Sequence, residues 1–321
     1  MRFLVTGGAG FIGSHLCERL INDGYSVTAI DNFSTGRASN LSNLSSANGF
    51  TLVEGSILDT NILNPSIKDA DYVFHLAAAV GVFNIVNNPL ASLLTNIRGT
   101  ENILEAAHET KTPVFLTSSS EVYGKNISDS LKESDDRILG SPVTLRWSYS
   151  EAKAIDESLA YAYFVEKQLE TRIVRFFNTV GPRQLGAYGM VVPRFVKAAL
   201  TNEPITIYGD GNQTRCFAHV YDVVDAVLAI AFADNTIGKV INIGNDFEIS
   251  INGLARKIIE ETSSNSEIVY VPYAEAYGDG FEDMERRVPN IDLVSELVGW
   301  KPKRDLSSMI ADISVEMKKS T

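Results

Sequence analysis

Short apolar runs alternate with longer stretches of helical periodicity through the first half of the chain. The first run, Arg2–Thr6, is followed by Ile12, His15, Leu16 and Leu20 at helical spacing. Strands that alternate with helices form a parallel sheet covered on both faces, so we predict an α/β fold with a doubly wound parallel sheet. The further runs predicted as its strands are Tyr25–Ile30, Phe50–Val53, Tyr72–Leu76, Val114–Thr117 and Ile173–Phe177.

The alternation becomes irregular beyond about residue 172. A short strand is predicted at Pro204–Tyr208, and the segment 189–195 is predicted to open a helix. We therefore expect a sheet domain at 1–172 and a smaller domain made mainly of 173–321.

Composition narrows the class of protein. The chain has 321 residues, 45% of them apolar, which is enough for one large core or two interlocked cores. It carries 28 basic and 40 acidic residues, a net charge of −12, without a basic block. Binding to nucleic acid or to an anionic membrane is therefore not expected.

Cysteine usage and the N-terminus suggest a location. The two cysteines, Cys17 and Cys216, stand in apolar or helical contexts, which favours a reducing compartment and predicts a cytoplasmic protein. The first strand starts at Arg2, leaving no room for a signal peptide. Because no run of about 18 apolar residues is present, no transmembrane helix is predicted either.

A glycine-rich turn follows the first strand. In TGGAGFIG, residues 6–13, the glycines Gly7, Gly10 and Gly13 permit a tight turn and let backbone N–H groups approach a pyrophosphate at a helix N-terminus. The second strand ends in Asp31, about 20 residues on, where a carboxylate accepts hydrogen bonds from a ribose diol. This context predicts a Rossmann domain that binds NAD.

Other positions complete the predicted cofactor site. Asp31 disfavours the 2′-phosphate of NADP, although Arg37 could accommodate it. Asp59 is predicted to contact adenine, and the small residues after the fourth strand let backbone approach the cofactor. Asn96 is interpreted as a structural residue that bonds backbone. The cofactor residues beyond the glycines are Phe11, Ile12, Asp31, Asn32, Ile57, Asp59, Leu76, Ala77, Ala78, Tyr149 and Lys153.

Tyr149 and Lys153 are the strongest candidates for catalysis. They lie four residues apart at the start of a predicted helix, so the phenol and the ammonium share one face. A nearby positive charge stabilises a phenolate and lowers the pKa of the tyrosine, which predicts a general base. Ser119, Ser120 and Glu121 follow the fifth strand, at the sheet edge where parallel sheets bind ligands.

The combination of TGGAGFIG, Asp31, SSSEVYG and YSEAK resembles the extended short-chain dehydrogenase/reductase family acting on nucleotide sugars, from Arg2 to about Pro302. The resemblance implies that Tyr149 takes the proton of the sugar 4-hydroxyl. It also implies that Lys153 holds the nicotinamide ribose and that Ser119 bonds the same sugar oxygen. Hydride from C4 would pass to NAD and leave a 4-keto sugar. No metal site is predicted.

The same resemblance assigns the second half of the chain to the nucleotide sugar. It implies that Val240–Asn245 returns to the first sheet and interleaves the two domains. A guanidinium binds phosphate oxygens bidentately, so Arg215 is the predicted diphosphate clamp. The predicted substrate residues are Asn178, Arg183, Val192, Tyr208, Arg215 and Arg287.

The step after oxidation divides the family. Ser120 and Glu121, together with a Tyr-Gly-x-Gly-Phe motif at 277–281 and Arg287, resemble UDP-glucuronate decarboxylases and would surround the uronate carboxyl. Decarboxylation of UDP-glucuronate is therefore predicted. A UDP-sugar 4-epimerase is the first alternative and a 4,6-dehydratase the second, and a regulatory protein that senses NAD is the alternative outside enzymes.

The predicted partner is a second copy of the chain. Helices at Leu90–Ala107 and Ser148–Val165 resemble the four-helix bundle through which members of the family form homodimers. The second helix carries an apolar stripe, for which a buried core face is an equally good explanation. The stripe consists of Ala152, Ile155, Leu159 and Tyr163.

Overall fold

The computed structural model describes residues 1–81, 85, 87–186, 190–277, 284 and 286–319. Its centre is a seven-stranded, entirely parallel sheet, whose strands are β1 (Arg2–Thr6), β2 (Ser26–Asp31), β3 (Phe50–Glu54), β4 (Tyr72–His75), β5 (Val114–Ser119), β6 (Thr171–Phe176) and β11 (Val240–Ile243). They lie side by side in the order β11-β6-β5-β4-β1-β2-β3. The predicted doubly wound sheet is confirmed.

Helices cover both faces of this sheet. The α-helices are α1 (Phe11–Asn22), α2 (Thr60–Lys68), α3 (Pro89–Thr110), α4 (Ser148–Lys167), α5 (Val191–Leu200), α6 (Val220–Ala231), α7 (Ile251–Thr262), α8 (Tyr273–Tyr277), α9 (Asp292–Val298) and α10 (Leu306–Lys319). Successive strand residues point to opposite faces. Phe3 and Val5 therefore pack with α1 and α6, while Leu4 packs with α2, α3 and α4.

The remaining strands form three small sheets beside the main one. A separate core joins them to α5, α7 and α10 through residues such as Phe195, Leu254 and Ile310. The pairs are β7 (Thr179–Val180) with β10 (Ala218–His219), β8 (Ile205–Tyr208) with β13 (Ile268–Val271), and β9 (Thr214–Cys216) with β12 (Glu248–Ser250).

The chain crosses between the two parts more than once. The predicted boundary at residue 172 falls inside β6, and β11 pairs with β6 after the chain has built part of the second core. The division into two domains stays a prediction. Among the described residues, no helix is both long enough and apolar enough to span a membrane.

Candidate active site

A cavity of about 930 Å³ lies at the carboxyl ends of the parallel strands and extends to the second core. This is the edge at which open parallel sheets bind ligands. Every predicted site residue except Asp59 lines it. Those residues are Gly7, Gly10, Phe11, Ile12, Gly13, Asp31, Asn32, Ile57, Leu76, Ala77, Ala78, Ser119, Ser120, Glu121, Tyr149, Lys153, Asn178, Arg183, Val192, Tyr208, Arg215 and Arg287.

The glycine turn has room for backbone but not for side chains. Gly7 has φ +70°, and a Cβ built on it would lie 2.8 Å from the backbone nitrogen of Ala77. A Cβ on Gly13 would lie 2.2 Å from the carbonyl oxygen of Gly7. Gly10 caps the N-terminus of α1, where unpaired N–H groups attract phosphate. This cradle fits the pyrophosphate of a dinucleotide.

Asp31 organises the loop beside that cradle. Its carboxylate accepts hydrogen bonds from the backbone nitrogens of Ala9 at 2.9 Å and Phe33 at 2.8 Å. Burial raises the pKa of Asp31, and these backbone donors oppose the rise. Arg37, the residue that could have accommodated a 2′-phosphate, is exposed and does not line the cavity.

Asp59 caps a helix and does not line the cavity, so its contact with adenine stays a prediction. Its side chain accepts a hydrogen bond from the backbone nitrogen of Asn61 at 3.0 Å and so caps the N-terminus of α2. The residue follows the third strand, as predicted, but a capping geometry directs the carboxylate along its own chain. Its neighbour Ile57 occupies the cavity wall instead.

Lys153 does not act on Tyr149 as expected. The Lys153 ammonium donates to the carbonyl oxygen of Thr117 at 3.0 Å and to Asp156 Oδ2 at 3.1 Å, and both Lys153 and Asp156 are buried. Burial raises the pKa of Tyr149, and the carboxylates of Glu121 and Asp156 raise it further, while a hydrogen bond with Ser119 opposes them. The prediction of a lowered pKa is therefore wrong, because burial of the phenol and the two nearby carboxylates raise it.

Glu121 lies between two guanidinium groups. Its Oε2 accepts from Arg146 Nη1 at 2.6 Å, and its Oε1 accepts from Arg287 Nη1, also at 2.6 Å. Arg287 also donates to Ser120 Oγ at 3.3 Å. Burial by itself raises the pKa of Glu121, but the two arginines outweigh it and lower the pKa to about 2.

This cluster of Glu121, Arg146 and Arg287, hereafter the arginine cluster, has two positive charges and one negative charge. Both arginines are buried and both line the cavity. The buried Nε of Arg287 has no hydrogen-bond partner within the described part of the chain. The site therefore offers two buried guanidinium groups and a spare donor on Arg287, which favour an anion.

Three of the predicted substrate residues, Asn178, Arg215 and Arg183, make polar contacts with other groups of the protein. Asn178 donates to the carbonyl oxygen of Cys216 at 2.9 Å, and Arg215 donates to that of Thr214 at 2.7 Å. The Arg183 guanidinium pairs with Glu18 on α1 at 2.6 Å, so it ties the second half of the chain to the cofactor helix. The guanidinium of Arg194 lies 4.3 Å from the ring centre of Tyr208.

The sequence analysis missed several site residues. Arg146 precedes Tyr149 by three positions, and Asp156 follows Lys153 by three, so helical spacing could have identified both. Residues of the second half that line the cavity had no local signal. They are Arg194, Gln213 and Tyr273. Part of the motif at 277–281 lies outside the described residues, as does Gly189 of the predicted helix opening.

Known proteins resemble this chain over nearly its whole length. The model of the NAD dependent epimerase/dehydratase family matches residues 3–244. A UDP-N-acetyl-alpha-D-glucosaminuronate decarboxylase of Bacillus cytotoxicus is 42% identical over 302 residues, which cover 94% of this chain and 92% of that protein. UDP-glucuronic acid decarboxylase 1 of Xenopus tropicalis is 36% identical, with 94% of this chain and 68% of that protein covered.

Solved structures agree with the sequence relatives. The UDP-glucuronic acid 4-epimerase from Bacillus cereus, in complex with UDP-glucuronic acid and NAD, matches with a TM-score of 0.90. It is 30% identical, and the match covers 100% of each chain. The fold and the sequence therefore point to the same group of proteins.

Proposed function

The chain belongs to the NAD-dependent epimerase/dehydratase family, and from this premise we propose that it decarboxylates a UDP-hexuronate after oxidising C4 of the sugar. The family is one of NAD-dependent enzymes, so the protein is an enzyme with NAD as its cofactor. The alternative of a regulatory protein that only senses NAD is therefore set aside.

The arginine cluster carries the proposal. A uronic acid differs from a neutral hexose by a carboxylate at C6, and the cluster offers buried guanidinium donors that suit a carboxylate, including the spare Nε of Arg287. Glu121 is close enough to Tyr149 for its carboxylate to raise the pKa of that phenol. A carboxylate held by the arginines would therefore lie on the same sugar as the hydroxyl that Tyr149 deprotonates.

The chemistry needs little beyond positioning. Tyr149, as phenolate, takes the proton of the C4 hydroxyl, with Ser119 bonding the same oxygen. When bound, NAD accepts the hydride that leaves C4. The product is a β-keto acid, in which the C5–C6 bond breaks, carbon dioxide leaves, and the electron pair remains as an enolate across C4 and C5. A proton then adds to C5.

Glu121 is not that proton donor. With a pKa of about 2 it carries no proton near neutral pH, and both of its oxygens already accept from arginines. Its role in the proposal is to hold Arg146 and Arg287 in place and to limit the charge of the cluster. Ser120 accepts a hydrogen bond from Arg287, so it also lies next to the place proposed for the substrate carboxylate.

A second candidate is 4-epimerisation of a UDP-hexuronate, favoured by the full-length match to the Bacillus cereus enzyme. Epimerisation requires the keto sugar to turn before hydride returns to its other face. Two guanidinium groups that hold the carboxylate oppose such a rotation. The cluster therefore supports decarboxylation over epimerisation.

Mass spectrometry of the products tests the proposal. The protein with NAD is incubated separately with UDP-glucuronate, UDP-N-acetylglucosaminuronate and UDP-glucose, and the nucleotide sugars are weighed. We expect at least one uronate to lose carbon dioxide and UDP-glucose to remain. A product of unchanged mass with inverted C4 would support epimerisation, and loss of water from UDP-glucose would support a dehydratase; either result would replace the proposal.

We also propose a homodimer through α3 and α4 and a cytoplasmic location. The stripe on α4 divides in the fold: Ala152 is buried and Leu159 and Tyr163 pack against the core, whereas Ile155 is 41% exposed. Other apolar residues of α4, such as Val165, are exposed as well. Both cysteines are free and buried, which supports a reducing compartment. Light scattering after chromatography tests the dimer.

A further inference from the structure

Asp156, the buried partner of Lys153, takes no part in the proposed chemistry. Asp156 is completely buried, and its Oδ2 accepts from the Lys153 ammonium at 3.1 Å. Burial raises the pKa of Asp156, whereas Lys153 and a hydrogen bond with Thr100 oppose the rise. A buried carboxylate is costly unless a cation pairs with it, and here that cation is Lys153.

We propose that Asp156 is a positioning residue that holds the Lys153 ammonium in an ion pair in the ligand-free enzyme, so that Tyr149 keeps its proton until the cofactor binds. The inference rests on the proposed role of Tyr149 as the base. Tyr149 would then become a phenolate only in the complex with NAD, which is also the complex that can accept hydride.

The other charged groups around this pair already have their own partners. Glu121, from the turn after β5, pairs with the two arginines of the arginine cluster. Glu157, next to Asp156 on α4, pairs with Arg175 of β6 at 2.7 Å. On β4, burial and, to a smaller extent, the charge of Lys153 lower the pKa of His75 to about 3, so this imidazole is neutral. Asp156 is thus the carboxylate assigned to the lysine.

The geometry leaves Lys153 one donor for the cofactor. An ammonium has three N–H donors, and those directed to Thr117 and Asp156 account for two. Lys153 also lines the cavity, so the third donor can reach a ribose hydroxyl. Oxidised NAD adds a positive nicotinamide ring to the same cavity. That charge favours the phenolate of Tyr149 and offsets the carboxylates that oppose it.

Titration of Tyr149 in the ligand-free protein tests the inference. Tyrosinate absorbance is followed against pH for wild type and for Asp156→Asn, and the step that belongs to Tyr149 is identified by its loss when Tyr149→Phe is added. Removing the carboxylate exposes the lysine charge, so the midpoint of this step should fall by about one pH unit or more. An unchanged or higher midpoint would overturn the inference.

Two controls separate charge from packing. Asp156→Glu keeps the charge and should keep the wild-type midpoint. Glu151→Gln removes a half-exposed carboxylate from the same helix and should leave the midpoint unchanged as well. If Asp156→Asn does not fold by circular dichroism, Asp156→Ser makes the same charge change with less volume and must show the same shift.

Binding of NAD gives a second measurement that does not need turnover. Calorimetry should show affinity rising with pH as Tyr149 loses its proton, and in Asp156→Asn this rise should end about one pH unit lower. Identical profiles in the two proteins would contradict the inference even if the enzyme decarboxylates uronates. Conversely, a shifted profile without decarboxylation would leave this role of Asp156 intact and remove only the proposed function.

Discussion

Two carboxylates in the cavity region, the buried Asp156 and the partly buried Glu121, have different surroundings. Among the described residues, Asp156 meets one cation, Lys153, and forms a neutral pair, whereas Glu121 meets two, Arg146 and Arg287. The role proposed for the neutral pair is the control of a proton. Two guanidinium groups favour an anion, which suits the recognition of a carboxylate.

The pKa values of the neighbouring groups show the same difference. Near the neutral pair, burial and carboxylates raise the pKa of Tyr149. In the arginine cluster, burial would also raise the pKa of Glu121, but the arginines lower it to about 2. Burial acts in the same direction in both places, so the sign of the nearby charges decides the outcome: carboxylates beside Tyr149 and guanidinium groups beside Glu121.

Of the substitutions that test this comparison, Tyr149→Phe should have the largest effect, which is on turnover. Losing the phenol removes the proposed base, and turnover should fall by about 10²–10⁴-fold while NAD still binds. Steady-state kinetics and calorimetry measure the two quantities. Tyr161→Phe is the matched control, because Tyr161 lies on the same helix but is 51% exposed. If Tyr149→Phe kept full turnover, the assignment of the base would be wrong.

Arg287→Gln removes one of the two cations that pair with Glu121 and should weaken the binding of a substrate that carries a carboxylate. Losing a buried charged partner should raise KM for the uronate by at least about 30-fold. Affinity for UDP-glucose, measured by competition, should change little because that sugar lacks the carboxylate. Arg286→Gln is the control, since Arg286 is largely exposed and pairs with Glu248. Equal losses for charged and neutral sugars would contradict a carboxylate site.

Glu121→Gln should have the smallest effect on substrate binding and should act mainly on stability, in a pH-dependent way. The folded-state pKa of Glu121 lies below its ordinary value of 4.5, so its contribution to stability is complete above that pH and is lost as pH falls to about 2. Urea unfolding should show wild type more stable near neutral pH, by on the order of 3 kcal/mol, with the gap closing through this window. A gap that does not depend on pH would mean that the arginines do not hold Glu121 ionised.

Local spacing was enough to predict much of this protein. The glycine turn, the carboxylate ending β2 and the tyrosine and lysine four residues apart all depend on neighbours within one element and its connections. Strand ends were predicted because apolar runs stop where the chain reaches the cavity, although β5 continues to Ser119, two residues beyond its predicted end. The family resemblance then assigned Arg287 to the site from far along the chain.

Packing decided the rest. Arg287 and Glu121 are separated by 166 residues, and only the fold brings them to 2.6 Å. The pKa of Tyr149 rises because burial and carboxylates act on it together, which spacing along a helix does not reveal. The N-cap that Asp59 forms on α2 was likewise not predicted from the sequence. Backbone periodicity depends on nearby residues, whereas burial and charge pairing depend on every element that surrounds a group, and those elements come together only in the folded chain.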